Sequence, residues 1–169
     1  MTLCVRFIPA ELGLRECTKL RMKKLKLTIE LVPASSWGNN LRSVLKPHMW
    51  KTIREEVYKK YNGKCAICKA KGKLHAHEVW EYDDDNHIQN LVGIIALCKL
   101  CHAIKHFGHT ELEDAKGKID KEKVIRHFMK VNSCSREDFM KHKIEVQKEF
   151  EKRSRHDWQL NINSKVDLH

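Results

Sequence analysis

The sequence contains no apolar run of about 18 residues or more, the length that a membrane-spanning helix requires. Its first segment lacks the basic-then-apolar order of a secretory signal, because Glu11, Arg15 and Glu16 interrupt it. No internal repeat and no low-complexity tract occurs. These absences argue against a transmembrane helix and against a repeat array. A length of 169 residues predicts one domain with appendages, and we expect it in the cytoplasm.

Positive charge is in excess, since 33 Lys and Arg residues oppose 22 Asp and Glu residues and give a net charge of +11. Such an excess favours polyanionic partners, and nucleic acid is the commonest of these. The basic residues are densest over 19–26 and are otherwise scattered, so a solubilising surface is the alternative interpretation.

Four of the seven cysteines form two Cys-x2-Cys pairs, Cys65 with Cys68 and Cys98 with Cys101, separated by 29 residues. Two such pairs brought together by a fold supply four thiolates, the ligand set of structural zinc. In a reducing compartment, metal binding is more common than a disulfide. Haem attachment through the Cys-x2-Cys-His that ends at His102 is the alternative. The second pair and the lack of an export signal disfavour it.

Hydrophobic periodicity divides the chain into an N-terminal basic extension with a short strand (1–45), a metal-rich core (46–110) and a helical C-terminal segment (111–169). Pro47 suits the first position of a helix, and Asn62-Gly63 suits its left-handed end. The pattern predicts helices over 47–61, 99–106, 121–131 and 135–153, and strands over 27–32, 73–80 and 91–97. The predicted fold class is α+β, with strand, loop, strand and helix in the core.

Three histidines of this core have the spacing of metal ligands. His102 and His106 are four residues apart on the predicted helix, so they share one face and can address one ion. His77 lies on the facing strand. For each of them, a surface or hydrogen-bonded histidine is the alternative interpretation.

The core carries these motifs in order: Cys65-x2-Cys68, His77-Glu78-Val79, Asn90-Leu91-Val92 and Leu97-Cys98-x2-Cys101-His102. This combination resembles the HNH endonucleases, also called His-Me finger nucleases, over roughly residues 46–110. The resemblance implies a ββα-metal core, a structural Zn2+ on the four cysteines, and a catalytic divalent ion such as Mg2+, Mn2+, Ni2+ or Zn2+. It also implies hydrolysis of phosphodiester bonds in DNA.

The resemblance assigns roles to individual residues. His77 and His102, with His106, would hold the catalytic ion, and Asn90 would orient the general base or brace the loop. From the sequence we also expect phosphate contacts from basic residues of the first predicted helix, Lys51 and Arg54, and from Lys105.

One position departs from the family pattern. Aligned on Val79, the chain has Glu78 where the family has a general-base histidine. Glu78 is the base if its pKa is raised. Alternatively, the register is shifted and His75 or His77 supplies the imidazole, or the site binds metal and nucleic acid without efficient cleavage. The leading hypothesis is a DNA endonuclease. The alternative is a weak or inactive HNH-scaffold protein that binds nucleic acid or a protein partner as an inhibitor or regulator.

Overall fold

The computed structural model describes residues 24–162, so most of the basic run over 19–26 lies outside the described residues. A 3-10 turn at Ala34–Ser36 precedes the regular elements, which are α1 (Leu41–Val44), α2 (Pro47–Lys60), β1 (Leu74–Asp83), β2 (Ile88–Cys98), α3 (Lys99–Lys105), α4 (Phe107–Ala115), α5 (Lys121–Asn132), α6 (Arg136–Arg153) and β3 (Gln159–Asn161). The predicted α+β class and the order strand, loop, strand, helix are confirmed.

The sheet has three strands in the order β1-β2-β3. β1 and β2 form an antiparallel hairpin in which His77 is opposite Ile95 and Leu74 is opposite Cys98. Both strands are longer than predicted, because their pairing continues to Asp83 and Ile88, on either side of a polar turn at residues 84–87. β3 pairs in parallel with the start of β2 and was not predicted.

Local signals located the helix ends correctly. α2 begins at Pro47, and the residues after it, Asn62 and Gly63, have φ angles of 50° and 66° in the left-handed region. Ser135 caps α6 in a reciprocal capping box with Asp138. α4 was not predicted, because the boundary between the core and the C-terminal segment was expected at residue 110, which lies within this helix.

The predicted strand over 27–32 is wrong. Its alternation is real, since Leu27 and Ile29 are buried, but no strand among residues 24–162 lies beside it. The backbone N–H of Leu27 donates instead to Asn132 Oδ1, and that of Ile29 donates to His142 Nε2. The N–H of Glu30 donates to the carbonyl of residue 105. The segment is therefore held by helices and not by a strand, and we call residues 26–30 the strap.

The hydrophobic core lies between α3, the hairpin and the C-terminal helices. Phe128 of α5 and Phe107 of α4 are buried, and both pack edge-to-face against Phe139 of α6. Ile104 of α3 is completely buried in the same cluster. Among the helices of residues 24–162, none combines the length and the apolar character that crossing a bilayer requires.

Candidate metal centres and cleft

Four cysteine sulfurs meet where the loop after α2 contacts the start of α3. The Sγ atoms of Cys65, Cys68, Cys98 and Cys101 all lie within 4.8 Å of one another, and the Cys68–Cys98 separation is 3.6 Å. Sulfurs bound at about 2.3 Å to a tetrahedral zinc ion lie about 3.8 Å apart. The gathered cysteines therefore fit a structural zinc site, as predicted.

Local backbone favours the thiolate form at one of these cysteines. Burial opposes ionisation of Cys65, but hydrogen bonds from backbone groups of residues 98, 68 and 67 lower its pKa to about 7. Burial and the neighbouring sulfurs raise the pKa of Cys101. A divalent cation at the centre offsets the repulsion among four thiolates, so the cluster matches a metal site better than four free thiols.

Three imidazoles form a second cluster. The ligand nitrogens of His77, His102 and His106 lie within 4.8 Å of one another, and His77 Nδ1 is 3.2 Å from His106 Nε2. Nitrogens held at about 2.05 Å from one tetrahedral ion lie about 3.3 Å apart. The arrangement can therefore hold a divalent metal ion. Its members are the three histidines that the sequence placed on facing elements.

Burial keeps two of these imidazoles neutral. Desolvation, followed by the neighbouring imidazoles, lowers the pKa of His102 to about 3. Desolvation and His77 lower the pKa of His106 to about 4. At neutral pH both rings are unprotonated and have a lone pair available for a cation.

Glu30 is a neighbour of this cluster that sequence reasoning missed. Its Oε2 is 2.8 Å from His77 Nε2, and its Oε1 pairs with the Lys105 ammonium. Hydrogen bonds from His77 and the charge of Lys105 together outweigh burial and lower the pKa of Glu30. Lys105 is only 7% exposed, and its ammonium is paired with Glu30. Its location therefore does not favour the predicted phosphate contact.

The other predicted site residues lie at different distances from the imidazoles. His75 stacks on His102 with ring centroids 5.0 Å apart. Glu78 lines the same cleft as the imidazoles, and its Oε1 accepts the backbone N–H of Leu41 at 2.9 Å. Asn90 accepts a hydrogen bond from Asn161 Nδ2 at 2.8 Å, so it braces β3. It is five residues along β2 from the position opposite His77, about 16 Å at strand rise.

A cleft of about 1380 Å³ opens beside the imidazole cluster. Its cations include Arg42, Arg54 and Lys73, which are exposed and form no ion pair with another described residue. Its carboxylates are already engaged: Glu30 with Lys105, Glu111 with Lys143, Glu149 with Arg153, and Glu78 with the Leu41 N–H. The positive charge that remains available therefore exceeds the negative charge. Arg42 and Lys73 were not singled out from the sequence, and Lys51 lies outside this lining.

Comparisons of the chain with protein-family models, with curated proteins and with solved structures found no match. The functional interpretation therefore depends on the residues themselves and on their geometry.

Proposed function

We propose that this protein is a metal-dependent endonuclease of the HNH type that hydrolyses phosphodiester bonds in DNA. The observation that carries the proposal is the cluster of His77, His102 and His106, whose nitrogens converge from β1 and α3 at the spacing of one ion's ligands. The neighbouring cysteine cluster supports it, because its four cysteines belong to the motif order that resembles the HNH family, and Cys101 directly precedes His102 on α3.

The three imidazoles would hold the catalytic ion, a divalent cation such as Mg2+, Mn2+, Ni2+ or Zn2+. Such an ion supplies Lewis acidity toward a phosphoryl oxygen and lowers the pKa of water. The chain's own contribution is to keep His102 and His106 neutral and to fix the ring of His77. Arg42 and Arg54 would neutralise phosphates on either side of the scissile bond.

Glu78 is the proposed general base. Burial raises its pKa, although the Leu41 N–H partly offsets this effect, and a raised pKa improves a carboxylate as a proton acceptor near neutral pH. Its carboxylate would accept the proton of the attacking water as the oxygen–phosphorus bond forms and the leaving oxygen departs.

Glu78→Gln is expected to reduce cleavage by about 100-fold or more, the contribution typical of a positioned base, without loss of zinc. A base acts only when deprotonated, so wild-type cleavage should fall as the pH falls through the raised pKa of Glu78. That acid limb should lie above the ordinary glutamate value and should be absent from the variant. Single-turnover cleavage rates from about pH 5 to about pH 9 would measure this acid limb in wild type and in the variant. If turnover of the variant equals that of wild type, the base is another residue, and His75 is the next to test.

DNA affinity provides a separate prediction. Arg54→Ala should weaken binding to duplex DNA and reduce the slope of log affinity against log salt by about 1, because one phosphate contact is lost. Lys51→Ala is the matched comparison on α2, since Lys51 lies outside the cleft lining and faces Glu55 at 4.0 Å. Fluorescence anisotropy across a salt series measures both. Equal slopes for wild type and Arg54→Ala would contradict phosphate binding in the cleft.

One observation favours a second candidate, an HNH-scaffold protein that binds nucleic acid or a protein partner as an inhibitor or regulator. The Glu78 carboxylate already accepts the N–H of Leu41, the first residue of α1, and is therefore partly committed to a structural contact. Salt-dependent DNA binding without nicking at any divalent metal would support this candidate over the nuclease.

A further inference from the structure

We propose that Glu30 is a positioning residue that fixes the tautomer of His77, and that the C-terminal helices hold it in place through the strap. The inference rests on the proposed metal site and deepens it. Glu30 lies outside the three-histidine ligand set and decides which nitrogen of His77 faces the ion.

The tautomer follows from hydrogen-bond chemistry. An ionised carboxylate has no proton and can only accept hydrogen bonds. Oε1 of Glu30 accepts from the Lys105 ammonium, and Oε2 is 2.8 Å from His77 Nε2. Nε2 of His77 must therefore carry the proton and donate it. In a neutral ring, Nδ1 is then left with a free lone pair.

That lone pair is directed into the imidazole cluster. His77 Nδ1 is the atom that lies 3.2 Å from His106 Nε2. A histidine that binds metal through one nitrogen commonly donates its other N–H to a carboxylate, which fixes the ring and raises its basicity. Glu30 occupies the position of that carboxylate. It is not a member of the three-histidine set whose ligand atoms lie within 4.8 Å of one another.

Three helices fix Glu30 at this position. Its own N–H donates to the carbonyl of Lys105 at 3.0 Å, which ties it to α3. His142 of α6 accepts from the N–H of Ile29 at 2.9 Å. The Asn132 amide of α5 accepts from the N–H of Leu27 at 3.0 Å and donates to its carbonyl at 2.8 Å. The sequence offered no role for segment 111–169. Two of its residues, Asn132 and His142, hold the strap in position.

Glu30→Gln tests the assignment with little change in volume. A carboxamide has one acceptor oxygen, and the buried Lys105 ammonium competes for it. The amide NH2 then faces His77 Nε2 and favours the opposite tautomer, with the proton on Nδ1. The matched control is Glu111→Gln, because Glu111 lines the same cleft, pairs with Lys143, and is 37% exposed against 38% for Glu30.

Two measurements on the zinc-loaded full-length protein decide the question. Long-range 1H–15N NMR of the histidine rings should show the Nε2–H form of His77 in wild type and in Glu111→Gln, and a shift toward Nδ1–H in Glu30→Gln. Calorimetric titration with Ni2+ should show an affinity about 10- to 100-fold weaker in Glu30→Gln, with His102→Ala identifying the imidazole site.

The inference is overturned if wild-type His77 carries its proton on Nδ1, if Glu30→Gln changes neither the tautomer nor the Ni2+ affinity, or if wild type binds no Ni2+ at the imidazoles. Failure of the nuclease proposal is a different result: the tautomer and the Ni2+ affinity behave as expected, but no DNA is cleaved with any metal.

Discussion

Cys65→Ser is expected to release zinc and unfold the core of the protein. Cys65 is completely buried, and its sulfur belongs to the four-cysteine cluster that joins the loop after α2 to the start of α3. Structural zinc in small domains contributes about 10–16 kcal/mol of apparent binding free energy at pH 7, and much of this becomes folding free energy. A serine hydroxyl is a poor replacement for a thiolate ligand, so most of this contribution should be lost.

The measurements are zinc content by mass spectrometry and thermal unfolding by circular dichroism. Cys134→Ser is the matched control, because Cys134 is half-buried and lies outside the cluster. It should retain one zinc ion per chain. Zinc content equal to wild type in Cys65→Ser would contradict the four-cysteine assignment.

His102→Ala is expected to reduce the rate of DNA cleavage by about 100-fold or more, while the fold and the cysteine-bound zinc remain. His102 projects from α3 into the imidazole cluster. Its ring centroid lies 4.6 Å from the ring centroid of His106 and 5.6 Å from that of His77. Loss of one of three ligands weakens the binding of the ion that would stabilise charge on the phosphate. A loss of about 3 kcal/mol of that stabilisation corresponds to a rate decrease of about 100-fold.

His109→Ala is the control for His102→Ala. His109 lies on α4, lines the same cleft and is exposed, but it is not part of the imidazole cluster. Cleavage rates, zinc content and melting temperature should all be close to wild type in this variant. If His109→Ala and His102→Ala lose activity equally, the general environment of the cleft matters and the three-ligand set does not.

The sequence predicted the parts of the fold that local signals encode. Pro47 and Ser135 marked helix starts, and the strand-like segment 73–80 and the apolar run 91–97 marked the two strands of the hairpin. The two cysteine pairs and the four-residue spacing of His102 and His106 located both clusters, because ligand spacing on one helix is itself a local property.

The parts that were missed depend on contacts between distant residues. β3 has three residues and pairs with β2 about seventy positions earlier, so no local pattern announced it. Glu30 lies 47 residues from His77, and its role becomes visible only when the fold brings the two together. Residues 27–32 alternate like a strand, but a strand also needs a neighbour with free backbone groups, and here helices supply the partners.

Lys105 illustrates how burial and an ion pair bear on an expectation about charge. From the sequence it is one of several lysines near the histidines, and a phosphate contact is a reasonable expectation. In the fold its ammonium pairs with Glu30 and donates to Thr28 Oγ1 at 3.0 Å, both on the strap side of α3. The cations left for a polyanion are instead Arg42, Arg54 and Lys73, which face the cleft without an ion-pair partner among the described residues.

The central claim is that the imidazole cluster supports metal-dependent hydrolysis of DNA, and plasmid nicking tests it most directly. Zinc-loaded wild-type protein is incubated with supercoiled plasmid and Mg2+, Mn2+, Ni2+ or additional Zn2+, beside a chelated control and His102→Ala. We expect nicked circles to accumulate in wild type with at least one of these ions, and not in the chelated control or in the variant. Absence of nicking with all four ions, or equal nicking by wild type and His102→Ala, would contradict the account.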